Sequence, residues 1–271
     1  MNTELKTCPI TPSFFEPQVH TTLAWLGMVG ALINARGVIL LIDPLLSAEE
    51  QDGKLVNEAG YALKLPLPIQ AKDIPRADLV MYTHADDDHF GHQTAKTLAE
   101  RTSCTFLAPA PVRERLLELE INVERLITAL DFASLKMNCV ELLVTPALHD
   151  WQEVNPWQRA DCCGFVVNSP DGAIWHPGDT RLIDELLTMQ GIDVLFFDVA
   201  AVESHLGPAG SARLAASCGA KTLIAYHYGT FDLPPGSFAS CDPDDALPYI
   251  QGLSARYLKV NPGEVIKLPI G

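Results

Sequence analysis

The ten residues Thr83-His84-Ala85-Asp86-Asp87-Asp88-His89-Phe90-Gly91-His92 constrain this chain more than any other stretch. They place three aspartates and three histidines within positions 84–92, directly after the apolar run Leu79-Val80-Met81-Tyr82 and just ahead of a helix-like segment, Gln93–Arg101. Buried in a dry core, so many carboxylates and imidazoles would repel one another or stay unpaired, which is costly. One or two divalent cations would compensate them, and a metal site is the economical reading. A solvated acidic turn with incidental histidines is the other.

Around that segment, short apolar runs alternate with helix-like stretches. Thr22–Ile42 reads as two or three strands about tight turns, ending in Val38-Ile39-Leu40-Leu41-Ile42 and stopped by Asp43-Pro44. Residues 47–75, which include Pro66, Pro68 and Pro75, form a long excursion, and such excursions inside compact domains often carry function. Further strands are expected near Cys104–Leu107, Val140–Thr145, Gly164–Val167, Ala173–Trp175, Asp193–Asp198 and Lys221–Ala225. Helices are expected over Val112–Leu119, Leu182–Met189 and Pro208–Cys218. The turn Ser169-Pro170-Asp171-Gly172 makes a hairpin of its two flanking strands. Hairpins mixed with α/β units point to an α/β (α+β) architecture of two sheets sandwiched by helices, with no linker dividing residues 1–271 into separate domains.

Charge narrows the partners. Thirty-four Asp plus Glu against 19 Lys plus Arg give a formal charge of −15, so nucleic acid is not an expected partner. No apolar run reaches about 18 residues, so no membrane span is expected. Met1–Pro17 lacks the basic start and apolar core of a signal peptide, and seven scattered cysteines without a C-x-x-C pair suit reduced thiols in a cytoplasm. A serine nucleophile has little support, because no G-x-S-x-G occurs and Ser211 and Ser217 fall inside an expected helix.

The run from His84 to His89 resembles the H-x-H-x-D-H signature of the metallo-β-lactamase-fold hydrolases, with Asp86 standing where that signature has its second histidine. His84, Asp88 and His89 match directly. The later ligand positions of that family follow in order: His149 in Thr145-Pro146-Ala147-Leu148-His149, Asp179 in His176-Pro177-Gly178-Asp179-Thr180, and His227 in Ala225-Tyr226-His227-Tyr228-Gly229. Trp25-Leu26-Gly27 followed by Ile42-Asp43-Pro44 resembles the family's opening hairpin, whose aspartate supports the metal loop from behind. The resemblance therefore spans most of the chain. Within the superfamily it is closest to the UlaG-like branch of L-ascorbate-6-phosphate lactonases, through the Trp-Leu-Gly opening, Leu206-Gly207-Pro208 and the stretch Gly219–Phe231. N-acylphosphatidylethanolamine-type phospholipases share parts of the pattern, but no basic amphipathic helix for membrane access is evident here.

That resemblance implies a four-layer αββα sandwich and a cytoplasmic hydrolase. It implies His84, Asp86 and His149 on one metal ion, Asp88, His89 and His227 on a second, and Asp179 between them. A carboxylate at position 86 adds a hard oxygen ligand, which shifts preference from Zn2+ towards Mn2+ or Fe2+, tightens a Zn–O site, or leaves a single ion bound. Two cations held close together lower the pKa of a bridging water and polarise the substrate. Asp88 would also act catalytically, orienting that water or accepting its proton.

Trp151, Arg159, His176 and Arg181 flank ligand positions and would offer aromatic and cationic contacts to an anionic substrate; surface ion pairs and core packing are the alternative for the same residues. His205, in the loop after Asp198, would contact substrate, while Asp43 and His92 would support the ligands. The expected reaction is hydrolysis of a small, anionic lactone, ester or phosphoester. The alternatives are a phosphodiesterase or nuclease and a non-catalytic metabolite-binding relative. The expected partners are a small molecule and further copies of the chain, with loops 47–75 and 150–163 shaping the pocket.

Overall fold

In the computed structural model, which describes residues 5–234, 236–238 and 240–270, the chain builds two seven-stranded sheets. Strands β1 (Thr22–Gly27), β2 (Gly30–Ala35) and β3 (Val38–Ile42) form an antiparallel meander. A separate hairpin of β4 (Ala48–Gln51) and β5 (Lys54–Asn57) occupies the excursion that follows. Strands β6 (Leu79–Met81), β7 (Thr105–Ala108) and β8 (Leu126–Thr128) then extend the first sheet parallel to β3, linked through α1 (His92–Arg101) and α2 (Ala110–Glu118).

The second sheet repeats that plan. Strands β9 (Ser134–Met137), β10 (Val140–Pro146), β11 (Cys163–Ser169) and β12 (Gly172–His176) are antiparallel, and β13 (Val194–Asp198), β14 (Thr222–Tyr226) and β15 (Arg256–Leu258) add on in parallel. Helix α3 (Gly207–Cys218) joins β13 to β14, a single turn α4 (Leu247–Ile250) precedes β15, and β16 (Val265–Lys267) returns to the first sheet beside β1.

Strand β3 is apolar at every position because both of its faces are buried. Leu40 and Ile42 join the core shared by the two sheets with Phe165 and Trp175, whereas Ile39 and Leu41 pack with Ala95 and Leu98 of α1 and Val112 and Leu116 of α2. The period of two along a strand makes that division, and each fully buried Ile or Leu contributes about 1.5–3 kcal/mol. Helix α3 covers the far side of the second sheet with Leu214, Ala215 and Cys218 buried, so the layers run helix, sheet, sheet, helix. Cys162 and Cys163 also lie in the interior, where burial pushes the Cys162 thiol up to about 12.

The sequence expectations shift at several elements. Leu182–Met189, expected as an α-helix, contains a 3-10 segment over Asp184–Thr188 with only Leu186 fully buried, so too little apolar surface is covered to hold longer helix. The edge strands β8, β9, β15 and β16 were not expected, nor was the hairpin of β4 and β5; all are short, with mostly exposed or half-exposed side chains that carry little hydrophobic pattern. Among the described residues no helix is long and apolar enough to cross a membrane.

Strands β3, β6, β10, β12, β13 and β14 all finish at one edge of the sandwich, and sheets of this kind place their sites beyond the carboxyl ends of their strands. Two backbone bonds close the sheets on each other there. Cys163 N donates to Thr83 O at 2.9 Å, and His227 N donates to Met28 O at 2.9 Å.

Candidate metal centre

On the first sheet the organising group is Asp43, which leaves β3 with φ +43°, a left-handed conformation uncommon for a side-chain-bearing residue. Its carboxylate accepts from Thr83 N at 2.7 Å, Thr83 Oγ1 at 2.6 Å and His89 Nδ1 at 2.9 Å. Burial opposes the charge, but His89 beside it holds the Asp43 carboxyl below its usual range. With Thr83 Oγ1 committed as a donor to Asp43, His84 Nδ1 donates to that oxygen at 2.9 Å. Both histidines thus spend Nδ1 on the protein and turn Nε2 inward. His89 Nε2 lies 3.1 Å and His84 Nε2 4.0 Å from Asp179 Oδ2.

The second sheet supplies its donors from separate strand ends. His149, beyond β10, donates Nδ1 to Ser204 O at 3.1 Å and brings Nε2 to 3.2 Å from Asp86 Oδ2. Asp179 follows β12 through Gly178, whose φ of +67° suits glycine and where a Cβ would stand 2.6 Å from Cys163 O. Asp198 ends β13 and accepts from two rings, His227 Nδ1 at 2.8 Å and His205 Nδ1 at 3.1 Å. Their far nitrogens face Asp179 at 3.4 Å and 3.3 Å. His227 itself adopts φ +66° as it leaves β14.

Nε2 of His84, His89 and His227 and Oδ1 of Asp179 are buried without a hydrogen-bond partner among the described residues. Orphaned buried polar atoms are rare and cost about 1–3 kcal/mol each, and here four of them converge. Donor atoms of His84, Asp86 and His149 lie within 4.8 Å of one another, as do those of Asp88, His89 and His227, and those of His84, His89 and Asp179. This donor set fits divalent cations, which would satisfy the orphaned atoms together.

The electrostatics follow from the crowding of carboxylates and imidazoles at the centre. Burial and the neighbouring His89 lower the His84 pKa, favouring the neutral ring that can ligate. Burial opposes ionisation of Asp179, yet His205, His227 and His89 hold it well below the carboxylate range. Burial opposes a charged His205 as well, while Asp179 and Asp198 lift it to about 9.

The centre opens into a cavity of about 530 Å³. Asp86, Asp88, His149, Asp179 and His205 reach it, together with Tyr61, Trp151, Val202 and Phe238, which make an apolar wall. Trp151 also donates Nε1 to Asp86 Oδ2 at 2.9 Å. The rings of Trp157 and His84 meet edge to face at 5.5 Å, so the 150–163 segment covers the centre from one side.

Three residues expected at the rim are placed elsewhere, because nearer partners satisfy them. Arg159 pairs with Glu185 at 2.6 Å, outside the cavity lining. Arg181 pairs with Asp150 at 2.5 Å and donates to Glu203 O at 2.9 Å. His176 is fully buried, donating Nε2 to Val29 O at 2.9 Å and accepting from Gly178 N at 3.2 Å. His92 begins α1 with its ring 4.7 Å from that of Phe90 and belongs to none of the converging donor groups. Arg115 of α2 lines the cavity instead, its Nη1 donating to Ala85 O at 2.7 Å and lying 3.8 Å from Asp87 Oδ1. Neither Arg115 nor Asp198 was anticipated; one sits in an ordinary amphipathic helix and the other ends an apolar strand.

Residues 39–228 match the family described as the beta-lactamase superfamily domain, a span that runs from β3 past His227. A UPF0173 metal-dependent hydrolase of Caldivirga maquilingensis is 25% identical over 92% of this chain and 98% of its own length. A second, from Pyrobaculum aerophilum, is 26% identical over 91% of this chain and 99% of its own. Among solved structures, Igni18, a metallo hydrolase of Ignicoccus hospitalis, superposes with a TM-score of 0.70 at 19% identity, covering 93% of this chain and 100% of that one. At such identity the structural likeness speaks for fold, while the family match covers the residues of the centre. The chain belongs to the metallo-β-lactamase superfamily, among that superfamily's metal-dependent hydrolases.

Proposed function

We propose that the protein hydrolyses a small lactone, ester or phosphoester with water as nucleophile, as a member of the L-ascorbate-6-phosphate lactonase-like branch. The observation that carries the reading is the convergence of four buried, unpartnered polar atoms beside an open cavity. His84, Asp86 and His149 would hold one divalent ion, Asp88, His89 and His227 a second, with Asp179 shared. Mn2+, Zn2+ or Fe2+ bound there supplies an activated water and polarises the oxygen under attack.

The chain's own groups then position and exclude. Asp88 reaches both the centre, 3.7 Å from His89 Nε2, and the cavity, where its free carboxylate oxygen can accept the proton of the attacking water. Arg115, whose Nη1 is held by Ala85 O and Asp87, offers its remaining guanidinium donors to an anionic substituent, while Tyr61, Trp151, Val202 and Phe238 take the apolar body of the substrate and displace solvent. A nucleic-acid substrate fits poorly, because Asp86, Asp87 and Asp88 all line the opening through which a polyanion would pass.

The test is metal content of protein purified without chelator or immobilised nickel, followed by a panel of lactones, carboxylic esters and phosphodiesters. Metal-dependent turnover of a lactone or ester, lost in Asp179→Asn, supports the reading. Preferential cleavage of a phosphodiester moves it to the phosphodiesterase class. Stoichiometric metal without turnover of any of the three leaves a binding protein.

A further inference from the structure

We infer that His205 is a metal ligand in its own right, supplying the imidazole that Asp86 removes from the first ion's set. The inference rests on the hydrolase reading and deepens it by redefining which residues hold the ions. With a carboxylate at position 86, the histidines left around the first ion are His84 and His149. His205 enters the same space from the loop between β13 and α3, its side chain 6% exposed. Its ring meets that of His149 edge to face, with centroids 5.0 Å apart, and donor atoms of His149, Asp179 and His205 lie within 4.8 Å of one another.

Two histidines of the same molecule show what each kind of role looks like. His176, which is structural, commits both ring nitrogens to backbone partners, Val29 O and Gly178 N. His227, which the superfamily pattern makes a ligand, commits Nδ1 to Asp198 and turns Nε2 to Asp179 at 3.4 Å. His205 follows His227 rather than His176. The other oxygen of the same Asp198 takes its Nδ1 at 3.1 Å, and its Nε2 faces Asp179 at 3.3 Å. A carboxylate behind an imidazole whose far nitrogen faces a cation is the arrangement that orients metal-binding histidines and raises their basicity. One carboxylate therefore prepares two rings, and the second would restore the nitrogen count lost at position 86. That restoration pulls the first ion's preference back towards borderline metals such as Zn2+.

The experiment uses the full chain, loaded with Zn2+, as wild type, His205→Ala, Asp86→His and the double variant, read by chelator competition and by long-range proton–nitrogen NMR of the histidine rings. In the wild type, Nε2 of His205 is expected to show the shift of a metal-bound nitrogen. His205→Ala is expected to weaken one Zn2+ by about 100-fold or more, beyond the usual loss of an outer partner. Adding Asp86→His to that variant is expected to recover roughly tenfold or more, because the missing imidazole returns. A protonated or unligated His205 Nε2 in the loaded wild type overturns the inference, whether or not the variants fold. So does a loss of affinity that Asp86→His leaves uncorrected, since His205 would then only position its neighbours. Unchanged affinity in His205→Ala, with metal and turnover intact, overturns this assignment alone; a wild type that takes up no Zn2+, Mn2+ or Fe2+ brings down the hydrolase reading with it.

Discussion

The first sheet delivers its donors from one continuous segment, whereas the second delivers them from four strand ends far apart in sequence. His84, Asp86, Asp88 and His89 share the turn after β6, which is closed locally by His89 N and Phe90 N on Asp86 O at 3.0 Å and 2.8 Å. His149, Asp179, His205 and His227 follow β10, β12, β13 and β14, and only the packing of the sheet brings them together. Each half has one buried carboxylate behind it. Asp43 fixes Thr83 and His89, and Asp198 fixes His227 and His205. The comparison teaches that a local turn can be braced through a single ring, whereas a dispersed set leans harder on its brace.

The largest effect belongs to the group both halves face. Asp179→Asn removes the charge towards which His89, His205 and His227 point, at 3.1, 3.3 and 3.4 Å. Affinity for both ions is expected to fall by more than the roughly 100-fold typical of an outer partner, with turnover lost; chelator competition measures it and circular dichroism checks the fold. Next come the braces themselves. Asp43→Asn and Asp198→Asn are each expected to cost about 10–100-fold in metal affinity, with Asp198→Asn the more severe because an amide has one acceptor oxygen for two rings. Equal losses, or a larger one at Asp43, would break the contrast between the halves.

The same contrast explains what could be read in advance. The turn Thr83–His92 announced itself because its donors are neighbours in sequence and too dense for a core. His149, Asp179 and His227 were legible only as an ordered set resembling a family, since a lone histidine after a strand has many structural uses. Asp198 left no local mark at all. It ends the apolar run Val194–Asp198, and its role exists only once β13 lies beside β14. Arg159, Arg181 and His176 misled for the converse reason. Proximity in sequence to a ligand does not say which face a side chain takes, and His176, the last residue of β12, turns into the sheet against Phe196 and Tyr226. The inner strands of the two sheets were legible from hydrophobic period, while the edge strands β8, β9, β15 and β16, the hairpin of β4 and β5 and the 3-10 segment Asp184–Thr188 were not, because edges and short turns bury too little to leave one.

A smaller effect sharpens the role of Asp86. Trp151 donates to the same Asp86 oxygen that lies 3.2 Å from His149, so the indole both lines the cavity and pins the carboxylate. Trp151→Phe keeps the apolar wall and removes the hydrogen bond. Metal affinity is expected to drop about fivefold, the worth of one such bond, with little change in KM for an apolar substrate. A large rise in KM with unchanged affinity would make Trp151 a substrate contact first.

The smallest effect lies at the opposite edge, where the halves are joined without chemistry. Asp171, in the turn between β11 and β12, accepts from Thr21 N at 2.7 Å ahead of β1 and from Arg36 Nη2 at 2.6 Å in the turn between β2 and β3. It therefore ties a hairpin of the second sheet to the meander of the first. The hydrogen bond from Arg36, with further bonds from Thr21, holds its carboxyl well below the ordinary range. A depressed carboxyl pKa stabilises the fold above the unfolded value, near 3.9, and that stabilisation is lost as pH falls towards the folded value. Asp171→Ala is accordingly expected to lower the thermal midpoint at about pH 7 by roughly 2–4 °C. The gap to wild type should narrow as pH drops below about 4, and metal affinity should not move. A gap that persists in acid would assign the effect to packing rather than to charge, and a change in metal affinity would show that strain at this edge reaches the centre through the shared core.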